Sequence, residues 1–143
     1  MPLQIYTSKN GKKEIFDPIR KKRVALTPEE CVRQSMIAYL LHTLQVPALA
    51  ISVEKKITYN GMTRRFDIVI FHQGKCLVII ECKAPAITLN PDTLFQASMY
   101  NSTLQARYIV LTNGKQNMVF RIQNQNYEPC SELPSFSEMI RNL

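Results

Sequence analysis

Apolar residues recur along this chain in two rhythms, one near 3.6 residues and one of two. Val32, Met36, Tyr39, Leu40 and Leu44 keep the helical spacing. Thr27 stands ahead of them as a cap, Pro28 takes the first helical position, and Glu29 and Glu30 fill the first turn. The pattern predicts a helix from Thr27 to about residue 45. After Val46-Pro47 the rhythm shortens. Residues 49–58 and 63–71 read as strands around an Asn60-Gly61 turn, and residues 76–83 as a third strand that ends near Pro85. Asn90-Pro91 opens a second helix carrying Leu94, Ala97, Met99, Tyr100 and Leu104, up to about residue 105. The stretch "RYIVLT" at 107–112 forms a fourth strand that stops at Asn113-Gly114, and residues 118–123 a fifth.

The segment joining the third and fourth strands has the length of a crossover, so those two strands should be parallel and connected right-handedly. The expected architecture is α/β, a mixed central sheet flanked by helices in the order α-β-β-β-α-β, within one domain spanning 1–143. Residues 1–26 hold Lys9, Lys12 and Lys13 and then Arg20-Lys21-Lys22-Arg23, with room for one short strand near residues 4–6. They read as a basic amino-terminal arm, either solvated or phosphate-binding.

Composition narrows the function. With 45% hydrophobic residues and 4 glycines the chain is globular rather than disordered. No apolar run reaches the ~18 residues that cross a bilayer, and the polar, basic start has no signal core. The expectation is therefore a soluble, cytoplasmic protein with no membrane partner. Cys31, Cys76, Cys82 and Cys130 form no CxxC pair, which argues against zinc and against a disulfide framework. A net charge of +7 favours a polyanionic partner, nucleic acid or acidic lipid.

Three charges interrupt the strands of "FDIVIFHQGKCLVIIECK": Asp67, Glu81 and Lys83. A turn centred on Gly74 would pair Phe71 with Leu77, Val69 with Ile79 and Asp67 with Glu81. Opposed residues share a face, and Lys83 follows Glu81 by two, so all three charges should converge. The remaining residues are apolar on both faces, with Ile68, Ile70, Val78 and Ile80 on one and Val69, Phe71, Leu77 and Ile79 on the other. Such strands are covered on both sides. Two carboxylates about 4.5 to 5.5 Å apart at Cβ repel each other and lose hydration. A hard divalent ion such as Mg²⁺ relieves that repulsion, and a neighbouring lysine can orient a water. A buried Asp-Lys-Glu ion network with no chemistry would give the same letters, which are common ones. Position favours a site, because charges are rarely buried unless paired or metal-binding.

At these residues the sequence resembles the PD-(D/E)XK nuclease superfamily, and more narrowly the amino-terminal nuclease domain of type I restriction enzyme R subunits. The resemblance runs over residues 16–122 and rests on "FDPIRKKRVALTPEECVRQ", "RRFDIVIF", "VIIECKAP", and "LFQASMY" followed by "YIVLTNG". It implies a restriction-endonuclease-like core. Carried over by position, it implies Asp67 and Glu81 as metal-binding carboxylates, the Cys82 backbone carbonyl as a further ligand, and Lys83 as the catalytic lysine. The implied cofactor is Mg²⁺, with Mn²⁺ as substitute. Gln96 and Tyr100 match a Q-x-x-x-Y element whose spacing puts both on one helical face. From there Gln96 would reach the site, and Tyr100 would either pack or touch DNA. The family also places a first-helix glutamate near the metal. Glu29, which the spacing sets closer to the apolar face, and Glu30 are both candidates. Phe66 stands where the superfamily name has Pro.

The leading expectation is an Mg²⁺-dependent DNA endonuclease domain, with Arg20, Lys21, Lys22 and Arg23 as DNA contacts. The alternative is a non-catalytic DNA-binding or assembly module that keeps the fold. The 143 residues hold no G-x(4)-G-K-[ST] phosphate loop, so ATP-driven translocation does not reside in them. Expected partners are DNA, a second copy of the chain where both strands are cut, and subunits supplying the motor or the sequence recognition.

Overall fold

The computed structural model describes residues 3–141. The segment predicted as a basic arm is folded. β1 (Ile5–Thr7), β2 (Lys13–Asp17) and β3 (Lys22–Ala25) form a three-stranded antiparallel sheet. Residues 1 and 2 of the predicted arm lie outside the described residues. What fixes this sheet is buried: Ile15 and Asp17 are fully enclosed. Asp17 Oδ1 accepts the backbone N–H groups of Ile19 at 2.7 Å and Arg20 at 2.9 Å, which folds the β2–β3 connection back on itself.

The first helix, α1 (Pro28–His42), starts as expected, with the Thr27 hydroxyl accepting the Glu30 N–H at 3.0 Å. It stops earlier than predicted. Gln45 takes a left-handed φ of +57°, and the Val46 N–H donates to the Leu40 carbonyl at 2.8 Å. That reversal carries Leu44 and Val46 into the core.

After a short turn of 3₁₀-helix at Ala48–Ala50 come β4 (Ile51–Tyr59), β5 (Met62–His72), β6 (Lys75–Cys82), α2 (Pro91–Leu104), β7 (Tyr108–Thr112), β8 (Asn117–Gln123), β9 (Asn126–Cys130) and α3 (Phe136–Arg141). The strands β4 to β9 form one six-stranded sheet in sequence order. β6 and β7 are parallel, as the crossover through α2 requires, and every other neighbouring pair is antiparallel. β9 and α3 were not expected from sequence. Buried residues fall into two clusters, one on each face of the sheet. Val32, Met36, Ile37 and Leu40 of α1 pack with Met139 of α3 on one face. Ala97 and Tyr100 of α2 pack on the other.

The β5–β6 turn differs from the sequence reading in detail. Gln73 and Gly74 both have positive φ, +51° and +78°, giving a two-residue turn whose twist suits a hairpin. Phe71 therefore faces Cys76, not Leu77. A bulge between Ile70 and Phe71 absorbs the extra residue and restores the predicted Val69–Ile79 pairing. Leu77 consequently joins the α1-side cluster rather than the face it was assigned.

Candidate active site

Ile68–Ile80 is the last pair of the β5–β6 ladder, and Asp67 and Glu81 stand immediately beyond it, at the end of the covered sheet. The even alternation assumed from sequence breaks at this point. Phe66 and Val69 both belong to the α2-side cluster, while Ile68 belongs to the α1-side one. On β4 the register passes from Val53–Ile68 to Lys55–Phe66, and Glu54, between them, is left-handed at φ +57°. A non-glycine residue pays for that conformation with about 1–3 kcal/mol of strain, which persists only where the surroundings enforce it.

The Asp67 carboxylate is held at both oxygens. Oδ2 accepts the Cys82 backbone N–H at 2.7 Å, and Oδ1 lies 3.4 Å from the Arg33 guanidinium of α1. Glu81 Oε2 lies 3.3 Å from Arg64. Its other oxygen, Oε1, is buried with no hydrogen-bond partner among the described residues. The Glu81 side chain is 6% exposed and that of Asp67 17%, so water reaches the pair mainly at Asp67. Burial pushes both carboxyls upward in pKa. For Glu81 the charge of Asp67 adds to burial, Arg64 opposes it, and the result is about 7. For Asp67, burial outweighs the Cys82 N–H, Arg33 and Lys83, which pull the other way.

Lys83 follows directly on β6. Its backbone N–H donates to the Thr112 carbonyl at 2.8 Å, extending the β6–β7 pairing by a residue and fixing the lysine at the sheet end. Its ammonium enters none of the ion pairs among the described residues, yet its charge acts on Asp67. The three charges singled out in the sequence therefore do come together.

Around them lies a layer that the sequence reading did not find. Arg33 grips Glu30 with two bonds of 2.9 Å, and Gln34 adds a third at 3.2 Å. Arg20 joins Glu30 at 2.8 Å and Asp17 at 2.6 Å. Burial alone would raise the Glu30 carboxyl, but the bonds from Arg33, Arg20 and Gln34 hold it below its ordinary pKa. The buried first-helix glutamate is thus Glu30, contrary to the spacing argument. Glu29 is exposed, although its charge reaches the Cys82 thiol. The i, i+3 spacing of Glu30 and Arg33 was a readable signal. The roles of Arg64 and Glu54 left none.

Other sequence-chosen residues are distributed differently. Arg20 is committed to internal ion pairs, whereas Lys21, Lys22 and Arg23 are exposed, with Arg23 stacked 3.7 Å above the Tyr6 ring. Tyr100 is buried and packs edge-on against Phe66 at 5.7 Å, the packing position that was one of its two expected roles. Gln96 is exposed on α2 and makes no hydrogen bond to Asp67 or Glu81 among the described residues.

The donor set suits a hard divalent ion: a half-buried carboxylate beside a buried one that has an oxygen with no partner among the described residues. Among the described residues no third His, Cys, Asp or Glu completes a cluster with them. An ion here would take its remaining ligands from backbone oxygen and water, as Mg²⁺ does.

An α-β-β-β-α-β core with a mixed sheet, and acidic residues meeting at the end of its central hairpin, is a restriction-endonuclease-like α/β fold. The sequence model of the type I restriction enzyme R protein N terminus (HSDR_N) matches residues 28–134, well over half of the chain, and the chain belongs to that family. Among solved structures, the fragment structure of a putative HsdR subunit of a type I restriction enzyme from Vibrio vulnificus YJ016 is similar, with a TM-score of 0.47 and 17% identity over 64% of this chain. The match covers 20% of that chain, so the present chain spans about a fifth of its length. Among curated proteins no match is found.

Proposed function

We propose that this member of the R-protein amino-terminal family is an Mg²⁺-dependent endonuclease domain that hydrolyses DNA phosphodiester bonds. The observation that carries the reading is the pairing of half-buried Asp67 with buried Glu81, whose Oε1 has no partner among the described residues, beside a lysine that enters none of their ion pairs. Asp67, Glu81 and the Cys82 carbonyl would hold the ion, with Mn²⁺ as substitute. When bound, it supplies positive charge to a phosphate oxygen as negative charge builds there. Lys83 orients the attacking water. As the water oxygen bonds to phosphorus it gives up a proton to solvent, the bond to the leaving sugar oxygen breaks, and that oxygen takes a proton from solvent. Arg33, itself held by Glu30, acts through Asp67 by fixing its Oδ1. Gln96 and the exposed Lys21, Lys22 and Arg23 are candidate DNA contacts, and sequence recognition and translocation belong to other domains or subunits.

One observation favours the non-catalytic alternative: each carboxylate already has an arginine neighbour, Arg33 for Asp67 and Arg64 for Glu81. Incubation of supercoiled plasmid with the parent and with Lys83→Ala, in Mg²⁺, Mn²⁺ or EDTA, separates the two. Metal-dependent cutting lost in the variant supports the nuclease. A parent that binds DNA but leaves the plasmid intact in every metal supports the binding module.

A further inference from the structure

The hairpin of β4 and β5 carries four cations, Lys55, Lys56, Arg64 and Arg65, and Lys56 stands directly opposite Arg65 in the antiparallel register. Both residues are exposed. Opposed residues share a face, and like charges placed so destabilise the pairing, with no benefit to the isolated fold. Arg64, by contrast, is already committed to Glu81 and to the face of Phe66.

The anion nearest to this rung does not neutralise it. Glu54 lies 3.8 Å from Arg65, but also 3.7 Å from Arg20 and 3.6 Å from Arg33. Glu54 is thus shared among three guanidinium groups, while Lys56 enters none of the ion pairs among the described residues. The same contacts connect the rung to the candidate site, since Arg33 continues to Asp67 at 3.4 Å. Asp67 is also the more open of the two carboxylates. A cationic rung kept at a cost to pairing, beside the opening of a phosphodiester-cleaving site, fits a phosphate backbone.

We propose that Lys56 and Arg65 form a contact for the phosphate backbone of duplex DNA next to Asp67, separate from Lys21, Lys22 and Arg23. The proposal rests on the nuclease reading and adds the surface along which substrate enters. The test uses the full chain, a fluorescent duplex in Ca²⁺ buffer, and the variants Lys56→Thr and Lys56→Glu. Lys56→Thr should flatten the plot of log affinity against log salt by about 0.9, the value of one phosphate contact on duplex DNA. Lys56→Glu should weaken binding at least ~10-fold near physiological salt. Both variants should melt at or above the parent temperature, because a repulsion has been removed. That combination would not arise from misfolding. Unchanged affinity and slope in both variants overturn the proposal, and leave the nuclease reading standing if the parent cleaves plasmid in Mg²⁺. If Lys56 governs duplex binding but the parent cleaves in no metal, the contact holds and the nuclease reading falls.

Discussion

Replacing Glu81 by Gln distinguishes a metal site from a structural ion network more sharply than any other single change. Burial, with the neighbouring Asp67 charge, raises the Glu81 pKa from 4.5 to about 7. At about 1.4 kcal/mol per pKa unit, keeping this carboxylate ionised near pH 8 costs the metal-free fold roughly 3 kcal/mol relative to its neutral form. Solvent screening reduces this little, because the side chain is only 6% exposed. Glutamine has the same shape without the charge, and loses about 1 kcal/mol through a weaker bond to Arg64. Glu81→Gln should therefore stabilise the metal-free protein by about 2 kcal/mol near pH 8, or roughly 4–8 °C in Tm. An acid whose folded pKa is raised favours the fold fully below its unfolded pKa, and loses that advantage as pH rises through the folded value. The gap between parent and variant should thus close by about pH 5. Millimolar Mn²⁺ should raise the Tm of the parent near pH 8 and scarcely affect the variant, since only a ligand of the folded state shifts the equilibrium. Thermal melts in EDTA and in Mn²⁺ at both pH values provide the assay. A variant destabilised by about 3 kcal/mol or more near pH 8, with a parent indifferent to metal, would refute the reasoning and leave a structural Arg64–Glu81 pair.

Lys83→Ala should lower metal-dependent cleavage by at least ~100-fold while leaving duplex affinity and the Mn²⁺-induced rise in Tm intact, as a plasmid assay run beside melts will show. Arg20→Gln should destabilise on the order of 3 kcal/mol in urea unfolding, because Asp17 and Glu30 lose a buried partner. Unchanged stability with weakened DNA binding would return Arg20 to the role of a phosphate contact. Tyr100→Phe should keep stability within ~0.5 kcal/mol and DNA affinity unchanged, whereas Tyr100→Ala should cost about 3–5 kcal/mol through the space left beside Phe66. A Tyr100→Phe variant that binds DNA poorly would show that the hydroxyl does more than pack.

The central hairpins and the two long helices were legible because local chemistry defines them. Asn60-Gly61 supplies a turn, Thr27 and Asn90 supply caps, and the predicted Val69–Ile79 pairing of β5 with β6 is kept, which leaves Asp67 and Glu81 together just past the end of the ladder. The amino-terminal sheet was not legible, because β3 reads "KRVA" and its support comes from the buried carboxylate of Asp17. β9 was obscured by a charge and a proline in five residues, and by an Asn124-Gln125 turn that takes positive φ without a glycine. Within the site the acidic pair and the lysine could be read. Their partners could not, since Arg33 meets Asp67 across 34 positions of sequence, a contact that no local period encodes.

The outer strands of the six-stranded sheet have a further consequence, for self-association. β4 and β9 leave their outer hydrogen-bonding edges open, and an open edge invites a strand from another molecule. On β9, Pro129 has no N–H to offer. On β4, the left-handed Glu54 bends the edge away from straightness, and Lys55 and Lys56 add charge immediately beyond it. The residue that draws the arginines around Asp67 thus also guards the sheet against extension into fibrils. Any contact between copies of this domain would thus be made through side chains rather than by continuing one another's strands.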